Sequence, residues 1–203
     1  MKKSLFVFAL LLPLLAAPSF AQEARQDISI SGSMLNAPFA SGNGVQLHAT
    51  PGYGGLLSYR YDITPHGALE LNYQYDQNVQ YYSYPAGKYH IHDRTQEISG
   101  AYVYTFNFRN LNPFLEAGPA AVMFSPIDDA KTNIFASDLK RNTAVGVLYG
   151  GGIAYEISPS FDVRVELRNL VVKTPSFGYS GNTLRTGVYY NIMDPVIGIA
   201  YHF

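Results

Sequence analysis

The sequence predicts an all-β fold, namely an eight-stranded antiparallel up-and-down transmembrane β-barrel. Eight segments alternate apolar and polar residues with the two-residue period of a strand. The connections between them alternate strictly between long and short, which suits an even number of antiparallel strands closed into a ring. The last segment, residues 195–203, places Ile197, Ile199, Tyr201 and Phe203 on one face. A phenylalanine at the end of this strand indicates a paired and embedded terminus, because exposed termini are usually polar and frayed.

The first 21 residues carry the marks of a secretory signal peptide. Two lysines precede an apolar run over residues 5–17, and small residues surround a predicted cleavage point after Ala21. A transmembrane anchor is the alternative, but a helical span needs roughly 20 apolar residues. This run is shorter and contains Pro13. We therefore predict a signal peptide over residues 1–21 and one membrane β-barrel domain over residues 22–203.

Composition narrows the class of protein further. Cleavage would remove two of the 14 basic residues, leaving 12 against 15 acidic residues, so no nucleic-acid partner is expected. Cysteine is absent, which excludes disulfides and attachment of a lipid through cysteine. The 17 tyrosines and 12 phenylalanines suit aromatic girdles at membrane interfaces. Because no other apolar run approaches helix-spanning length, a membrane location requires a closed barrel.

Four strands are predicted in the first half of the barrel, at residues 27–37, 52–62, 68–76 and 95–108. Each alternates bulky apolar side chains with polar or small ones, and residues 68–76 give the clearest pattern. The apolar faces carry Ile28 and Ile30, then Leu57, Tyr59 and Tyr61, then Leu69, Leu71, Tyr73 and Tyr75, and finally Ile98, Tyr102, Tyr104, Phe106 and Phe108.

Four more strands are predicted at residues 113–124, 143–157, 161–172 and 195–203. Pro119 cannot donate a ladder hydrogen bond, so we expect a β-bulge there. The remaining apolar faces carry Leu115, Ala117, Ala121 and Met123, then Val145, Val147, Tyr149, Ile153 and Tyr155, and then Phe161, Val163, Val165 and Leu167.

Long and short connections separate these strands. Residues 64–67, 109–112 and 158–160 are rich in Pro, Gly, Asn and Ser and predict tight turns. Long loops are predicted at residues 36–51, 77–94, 125–142 and 174–194.

Alternation alone does not say which face looks outward, since a soluble lipocalin-like barrel alternates in the same way. Three features favour an apolar face that contacts membrane lipid, and the terminal Phe203 is the first of them. The less bulky face of residues 143–157 is mostly Gly and Ala, which fits a crowded lumen better than a solvated exterior. Aromatic residues also gather near strand ends on the apolar face, as in interfacial belts. In that orientation eight charged side chains point into the lumen: Arg60, Glu70, Glu97, Glu116, Glu156, Arg164, Glu166 and Arg168.

Buried charges persist only when they are paired and hydrogen-bonded. We therefore predict that these eight side chains form a network of ion pairs that plugs the lumen. A continuous plug favours a structural or surface role, whereas an apolar cavity would favour passage of a hydrophobic solute.

No motif in the sequence predicts a catalytic centre, a metal site or a cofactor. His90 and His92 share a strand face, but two histidines supply at most half of a metal site. A lipid-modifying hydrolase needs a nucleophile and a base close together, and the positions of His48, His66 and His202 show no such spacing. Tyrosines in the second long loop (Tyr81, Tyr82, Tyr84 and Tyr89) suit stacking on a surface ligand or an extension of the aromatic belt.

The alternating final segment, closing on Ala200-Tyr201-His202-Phe203, resembles the last strand of bacterial outer-membrane β-barrels, in particular the small OmpA/OmpX-like proteins. The resemblance implies an outer-membrane location, with short turns in the periplasm and long loops outside. It implies that Tyr201 and Phe203 belong to an insertion signal read by the barrel-assembly machinery. Lipid and lipopolysaccharide are the implied neighbours. No peptidoglycan-binding domain is expected after Phe203.

These features favour a non-enzymatic envelope protein that displays four loops for surface interaction or supports membrane integrity. Passage of small hydrophobic molecules, as in OmpW-like barrels, is the alternative. Modification of lipid A is a third possibility with less support.

Overall fold

The computed structural model describes residues 25–85, 87–134, 138–179 and 184–203. The predicted signal peptide therefore lies outside the described residues. The described part of the chain contains ten β-strands. They are β1 (Gln26–Leu35), β2 (Ala40–Gly42), β3 (Val45–Ala49), β4 (Gly52–Thr64), β5 (Gly67–Tyr84), β6 (Gly87–Thr105), β7 (Leu111–Ile127), β8 (Asn142–Ser158), β9 (Phe161–Lys173) and β10 (Tyr189–His202).

Eight of these strands close into a ring, in the order β1, β4, β5, β6, β7, β8, β9, β10 and back to β1. Every neighbouring pair is antiparallel, as chain-adjacent hairpins require. The predicted eight-stranded antiparallel barrel is confirmed. Over the described ranges, no helix is long and apolar enough to cross a membrane.

The two faces of each strand differ as the alternation predicted. In β5, Glu70, Asn72 and Gln74 are buried inside, whereas Leu69 and Leu71 are 53% and 59% exposed on the outside. A soluble barrel would place its leucines inside and its glutamate outside, so the apolar exterior supports contact with lipid. Because side chains alternate faces along a strand, the same face of the strand points into the lumen along its whole length.

Aromatic rings line the outer rim at the end where the short turns lie, which we call the turn end. Tyr201 packs against Phe161 and stacks on Phe203, with ring centroids 5.1 and 6.0 Å apart. Tyr104 and Phe106 form a second pair on the same rim, with ring centroids 5.0 Å apart. Such rings mark a membrane interface, where an apolar body and a polar edge are both accommodated.

The opposite end, called the loop end, is more ordered than predicted. The prediction of long loops at residues 36–51 and 77–94 is wrong. β5 and β6 continue as a paired hairpin to Tyr84 and Gly87, and β3 adds to the wall by pairing with β5. Residues 77–84 place the polar Gln77 and Ser83 on the outer face beside Val79 and Tyr81, because this part of the wall leaves the hydrocarbon. The apolar–polar alternation that predicts a strand is therefore lost in this part of β5.

β2 and β3 form a small hairpin around Asn43 and Gly44. Both residues adopt left-handed backbone conformations, with φ of 52° and 74°, as a two-residue Asn-Gly hairpin turn requires. His48 consequently lies in β3, opposite Tyr81, and not in a loop. The other two long connections are shorter than predicted, since β7 extends to Ile127 and β10 begins at Tyr189.

The predicted bulge at Pro119 is also wrong. The register between β6 and β7 is the same before and after this position, and Pro119 itself lies opposite Val147 of β8. Gly118 explains how the proline is tolerated. A Cβ on Gly118 would lie 1.9 Å from the carbonyl oxygen of Gly100, so two glycines let the strands approach closely where ladder pairing is skipped. Register shifts occur instead beside two short turns, at Asp62/Thr64 and Glu156/Ser158.

Candidate functional site

The barrel interior is the candidate functional site, because it gathers most of the buried charge. Nine carboxyl groups and three guanidinium groups are buried there. The acids are Asp27, Glu70, Asp76, Asp93, Glu97, Glu116, Asp162, Glu166 and Asp194, and the bases are Arg60, Arg164 and Arg168. Carboxyl groups outnumber guanidinium groups threefold, so ion pairs alone cannot satisfy them and neutral donors must contribute.

Arg168 occupies the centre of the lumen and is fully buried. Its guanidinium lies 2.7 Å from Glu97, and more loosely 3.6 Å from Asp194 and 3.7 Å from Glu116. Ser99 accepts a further hydrogen bond from the same group at 3.3 Å. One cation therefore holds three acids that belong to three different strands.

A chain of neutral donors extends from this centre toward the loop end. Arg168 donates to the side-chain oxygen of Gln74, and Gln74 donates in turn to Asp76 at 2.7 Å. Ser33 donates to the other oxygen of Asp76 at 2.8 Å. Asp76 is therefore satisfied by an amide and a hydroxyl rather than by a cation.

A second ionic group lies nearer the turn end. Arg60 is 2.6 Å from Glu70, and its guanidinium also stacks over the Phe114 ring at 4.9 Å. Arg164 is 2.7 Å from Asp27. The first pair links the neighbouring strands β4 and β5, and the second links β9 to β1, the two strands that flank β10.

His202 completes this end of the lumen. Its ring lies 2.8 Å from Asp162 and 4.0 Å from Asp27. The inward direction that parity predicts for His202 is the one observed.

The structure brings together six of the eight predicted lumen residues in ion pairs. Glu166 is buried and Glu156 half-buried, and neither forms an ion pair among the residues the structure describes. Sequence reasoning missed five of the buried acids: Asp27, Asp76, Asp93, Asp162 and Asp194. Strand parity already placed Asp27, Asp76 and Asp162 on the polar face, whereas Asp93 and Asp194 were assigned to loops.

The loop-end half of the lumen is filled by an apolar cluster that was not predicted. Strand residues such as Phe124, Leu170 and Ile192 meet side chains from the connections that fold inward. The inserted side chains are Leu47 of β3, Ile134 and Leu139 from the connection after β7, and Phe177 and Leu184 from the connection after β9. This loop-end cluster packs like the core of a soluble domain.

Phe177 and Tyr82 anchor the cluster at its border with the polar lumen. Their rings meet edge to face at 6.3 Å, and the Tyr82 hydroxyl reaches Gln80 and the Pro175 carbonyl at 2.9 and 3.0 Å. Gln80 and Thr95 both donate to Asp93 at 3.1 Å. Phe177 has a φ of 49°, which is unfavourable for a residue with a side chain. Its packing must offset that cost.

The connection after β7 is hydrogen-bonded to the edge of β6 that β7 leaves unpaired. The backbone N–H groups of His90 and His92 donate to Asn133 and Thr132 at 2.8 and 3.0 Å. The His92 ring lies 2.6 Å from Asp129. Partial burial alone would raise the pKa of Asp129. The hydrogen bond with His92 and other local donors outweigh this effect and hold the pKa of Asp129 below its usual value. These bonds give the backbone donors of β6 hydrogen-bond partners beyond the point where β7 ends.

His66 and His90 lie against neighbouring groups of the barrel wall. Within residues 25–85, 87–134, 138–179 and 184–203, no three His, Cys, Asp or Glu side chains are grouped to hold a metal ion. His90 packs beside Tyr81 with ring centroids 5.9 Å apart, and His66 lies 3.1 Å from the Thr105 carbonyl.

Comparison with known proteins agrees with this architecture. Neisserial surface protein A is 15% identical, with a TM-score of 0.62 over 88% of this chain and 97% of its own. OprG from Pseudomonas aeruginosa is 11% identical, with a TM-score of 0.64 over 90% and 97%. Ail from Yersinia pestis, solved with the heparin analogue sucrose octasulfate, is 13% identical, with a TM-score of 0.53 over 90% and 100%. At these identities the likeness shows a shared fold.

No curated protein matches the chain significantly. The family model of the outer membrane protein beta-barrel domain matches residues 7–203, which is nearly the whole sequence. Together with the closed ring and apolar exterior, this match supports an outer-membrane location. The chain belongs to the outer membrane protein beta-barrel domain family.

Proposed function

We propose that the protein is a non-enzymatic outer-membrane barrel that presents a rigid loop end for surface interaction or supports the integrity of the envelope. One observation carries the proposal, namely that buried side chains of the described residues occupy the turn end, the centre and the loop end of the lumen. Ionic groups around Arg60 and Arg168 occupy the turn end and the centre. The loop-end cluster around Phe177 occupies the rest.

The loop end suits a display role because its hairpins are held by defined contacts. Tyr84 and Tyr89 stack at 5.6 Å, and Tyr179 packs against Tyr89 at 5.5 Å. Tyrosines in such positions offer a large contact area at low entropic cost, which favours binding of sugars or protein surfaces. A surface ligand would meet this tyrosine cluster first.

Passage of small hydrophobic molecules remains the alternative, and the apolar character of the loop-end cluster favours it. The packing of Phe177, Leu184 and Ile192 argues against it, since all three side chains are fully buried. The charged ring around Arg168 would also oppose entry of an apolar solute.

A hydrolytic role is less well supported. Three histidines are engaged by other groups: His66 with a backbone carbonyl, His92 with Asp129 and His202 with Asp162. In the part of the chain that the structure describes, no histidine is bonded to a serine hydroxyl, so a nucleophile activated in that way is lacking.

Export and assembly belong to the same proposal. Residues 1–21 would be removed to leave a barrel domain over residues 22–203. Tyr201 and Phe203 would be read by the barrel-assembly machinery, and their outward rings, together with the bond from the Phe203 N–H to Gln26, suit a strand that closes the ring last. Outer-membrane lipid and lipopolysaccharide would be the permanent neighbours.

The test is binding by the full chain in lipid nanodiscs to an array of glycans that includes heparin-derived oligosaccharides, since the Ail structure contains a heparin analogue. We expect Tyr84→Ala with Tyr89→Ala to abolish binding, whereas Tyr59→Ala with Tyr61→Ala at the turn end leaves it intact. Unchanged lipid A masses after expression are also expected. A modified lipid A, or accelerated uptake of hydrophobic probes, would contradict the proposal.

A further inference from the structure

The barrel wall divides between β8 and β9 at the loop end. Ladder pairing between these strands stops at Val147 and Val171, although β8 begins at Asn142 and β9 continues to Lys173. The strands still touch at Gly146, where an added Cβ would lie 2.1 Å from the Val171 carbonyl oxygen. Beyond that contact they separate, and the gap forms a cleft on the outside of the wall.

The cleft has a volume of about 490 Å³. Its polar lining includes the side chains of Asn142, Thr143 and Ser176 and two cations, Lys173 and Arg185. Among the described residues neither cation forms an ion pair. The described residues that line the cleft include no acidic side chain. Two unpaired cations among amide and hydroxyl groups favour an anionic ligand such as a phosphate.

The lower edge of the same cleft is apolar. Val145 and Tyr189 line it and are 71% and 66% exposed on the outer face of the wall. Val147 and Met193 continue this exposed apolar surface toward the turn end. A ligand in the cleft would therefore meet cations on one side and a lipid-facing surface on the other.

The height of the cleft matches the headgroup layer. The 13 residues of β9 run from Phe161 in the turn-end girdle to Lys173 at the cleft. At about 3.3 Å per residue and a tilt of about 40°, they rise roughly 30 Å. The apolar band of such barrels is about 25 Å tall, so Lys173 lies just beyond the hydrocarbon on the loop side.

We propose that this cleft binds the phosphorylated sugar headgroup of a lipid in the leaflet on the loop side. Lys173 and Arg185 contact the phosphate, Asn142, Thr143 and Ser176 face the sugar, and Val145 and Tyr189 lie against the first part of the acyl chains. The cleft is larger than a phosphate alone requires and falls within the range of small-ligand sites, which favours a headgroup with a sugar. This site is separate from the lumen and from the tyrosine cluster.

The test is native mass spectrometry of the folded full chain in detergent micelles. The probes are an acylated glucosamine disaccharide with two phosphates, its dephosphorylated form and inorganic phosphate. We expect saturable binding of one phosphorylated lipid. Binding should weaken at least tenfold for the dephosphorylated lipid, and at least tenfold for the variant Lys173→Gln with Arg185→Gln. Lys173→Arg with Arg185→Lys should retain it.

The matched control removes two exposed cations elsewhere, Lys88→Gln in the hairpin and Arg109→Gln at the turn end, and should bind like the wild type. Heat-dependent gel mobility checks that each variant is folded. Equal binding by the Lys173/Arg185 variant and the wild type would overturn the proposal, as would equal binding of the dephosphorylated lipid. Binding of inorganic phosphate as tight as that of the lipid would overturn the lipid assignment and indicate a site for free phosphate.

Discussion

The guanidinium of Arg168 lies 2.7 Å from the carboxylate of Glu97 at the centre of the barrel, where both side chains are shielded from solvent. These residues are 71 positions apart in the sequence and lie on β9 and β6. Their contact spans the lumen rather than a strand pair. An ion pair between strands three places apart in the ring therefore crosses the middle of the lumen.

Removal of Arg168 should be strongly destabilising. Arg168→Met leaves Glu97, Glu116 and Asp194 buried without their shared cation, and loss of one partner in a buried ion pair costs about 3 to 5 kcal/mol. We expect a loss of that size in the free energy of unfolding, measured by denaturant titration in lipid bilayers. Arg94→Met, which changes an exposed arginine over the Tyr75 ring, should cost less than about 1 kcal/mol.

The acids around Arg168 should differ sharply in their response to neutralisation. Glu97 receives a direct bond from Arg168, whereas neither carboxylate oxygen of Glu116 accepts a hydrogen bond. We expect Glu97→Gln to lower the free energy of unfolding by about 3 kcal/mol. Glu116→Gln should change it by less than about 1 kcal/mol or raise it, because a neutral amide is cheaper to bury than an unsatisfied carboxylate. Equal losses in the two variants would contradict this division.

The alternation in the membrane-spanning segments made the barrel predictable from the sequence. Within residues 68–76 of β5 and 161–168 of β9 every second residue is apolar, and that pattern sets both the strand and its outward face. Parity also showed which charges point inward. It did not show which charges meet, since Arg164 and Asp27 are 137 residues apart and their contact depends on how the strands are staggered around the ring.

The loop end was less predictable for a different reason. Phe177 and Leu184 are isolated apolar residues in a connection rich in Gly, Ser and Thr, so no periodicity marks them as buried. Their burial comes from packing against strand residues distant in sequence. The β5–β6 hairpin was missed because its outer face turns polar where it leaves the lipid, as at Gln77 and Arg94.

The loop-end cluster should depend on Phe177. Phe177→Ala removes a fully buried ring, and truncation of a buried phenylalanine costs about 3 to 5 kcal/mol. We expect faster hydrogen exchange in the connection after β9, measured by mass spectrometry, while exchange in β4 and β5 near Arg60 stays unchanged. Phe39→Ala, at a residue 59% exposed, is the control and should leave exchange as in the wild type.

The connection after β7 should loosen in acid. The pKa of Asp129 is lowered in the folded protein, so its stabilising contribution is present above the unfolded-state value and is lost as the pH falls through the folded value, which lies below the ordinary pKa of an aspartate. We expect cleavage of this connection by an acid-active protease to rise steeply below that pH, after correction for the activity of the enzyme. Asp129→Asn should be cleaved more readily already at neutral pH and show a flatter profile. Asp128→Asn, at the preceding residue, should behave like the wild type.

A sealed lumen is tested most directly by ionic current through the folded protein in planar lipid bilayers. We predict no steady conductance step for the wild type, because the bonds around Arg168 and the cluster around Phe177 leave no continuous path. Arg168→Ser combined with Phe177→Ala and Leu184→Ala is the positive control and should admit current. Steady single-channel steps from the wild-type protein would contradict the claim that the lumen is closed.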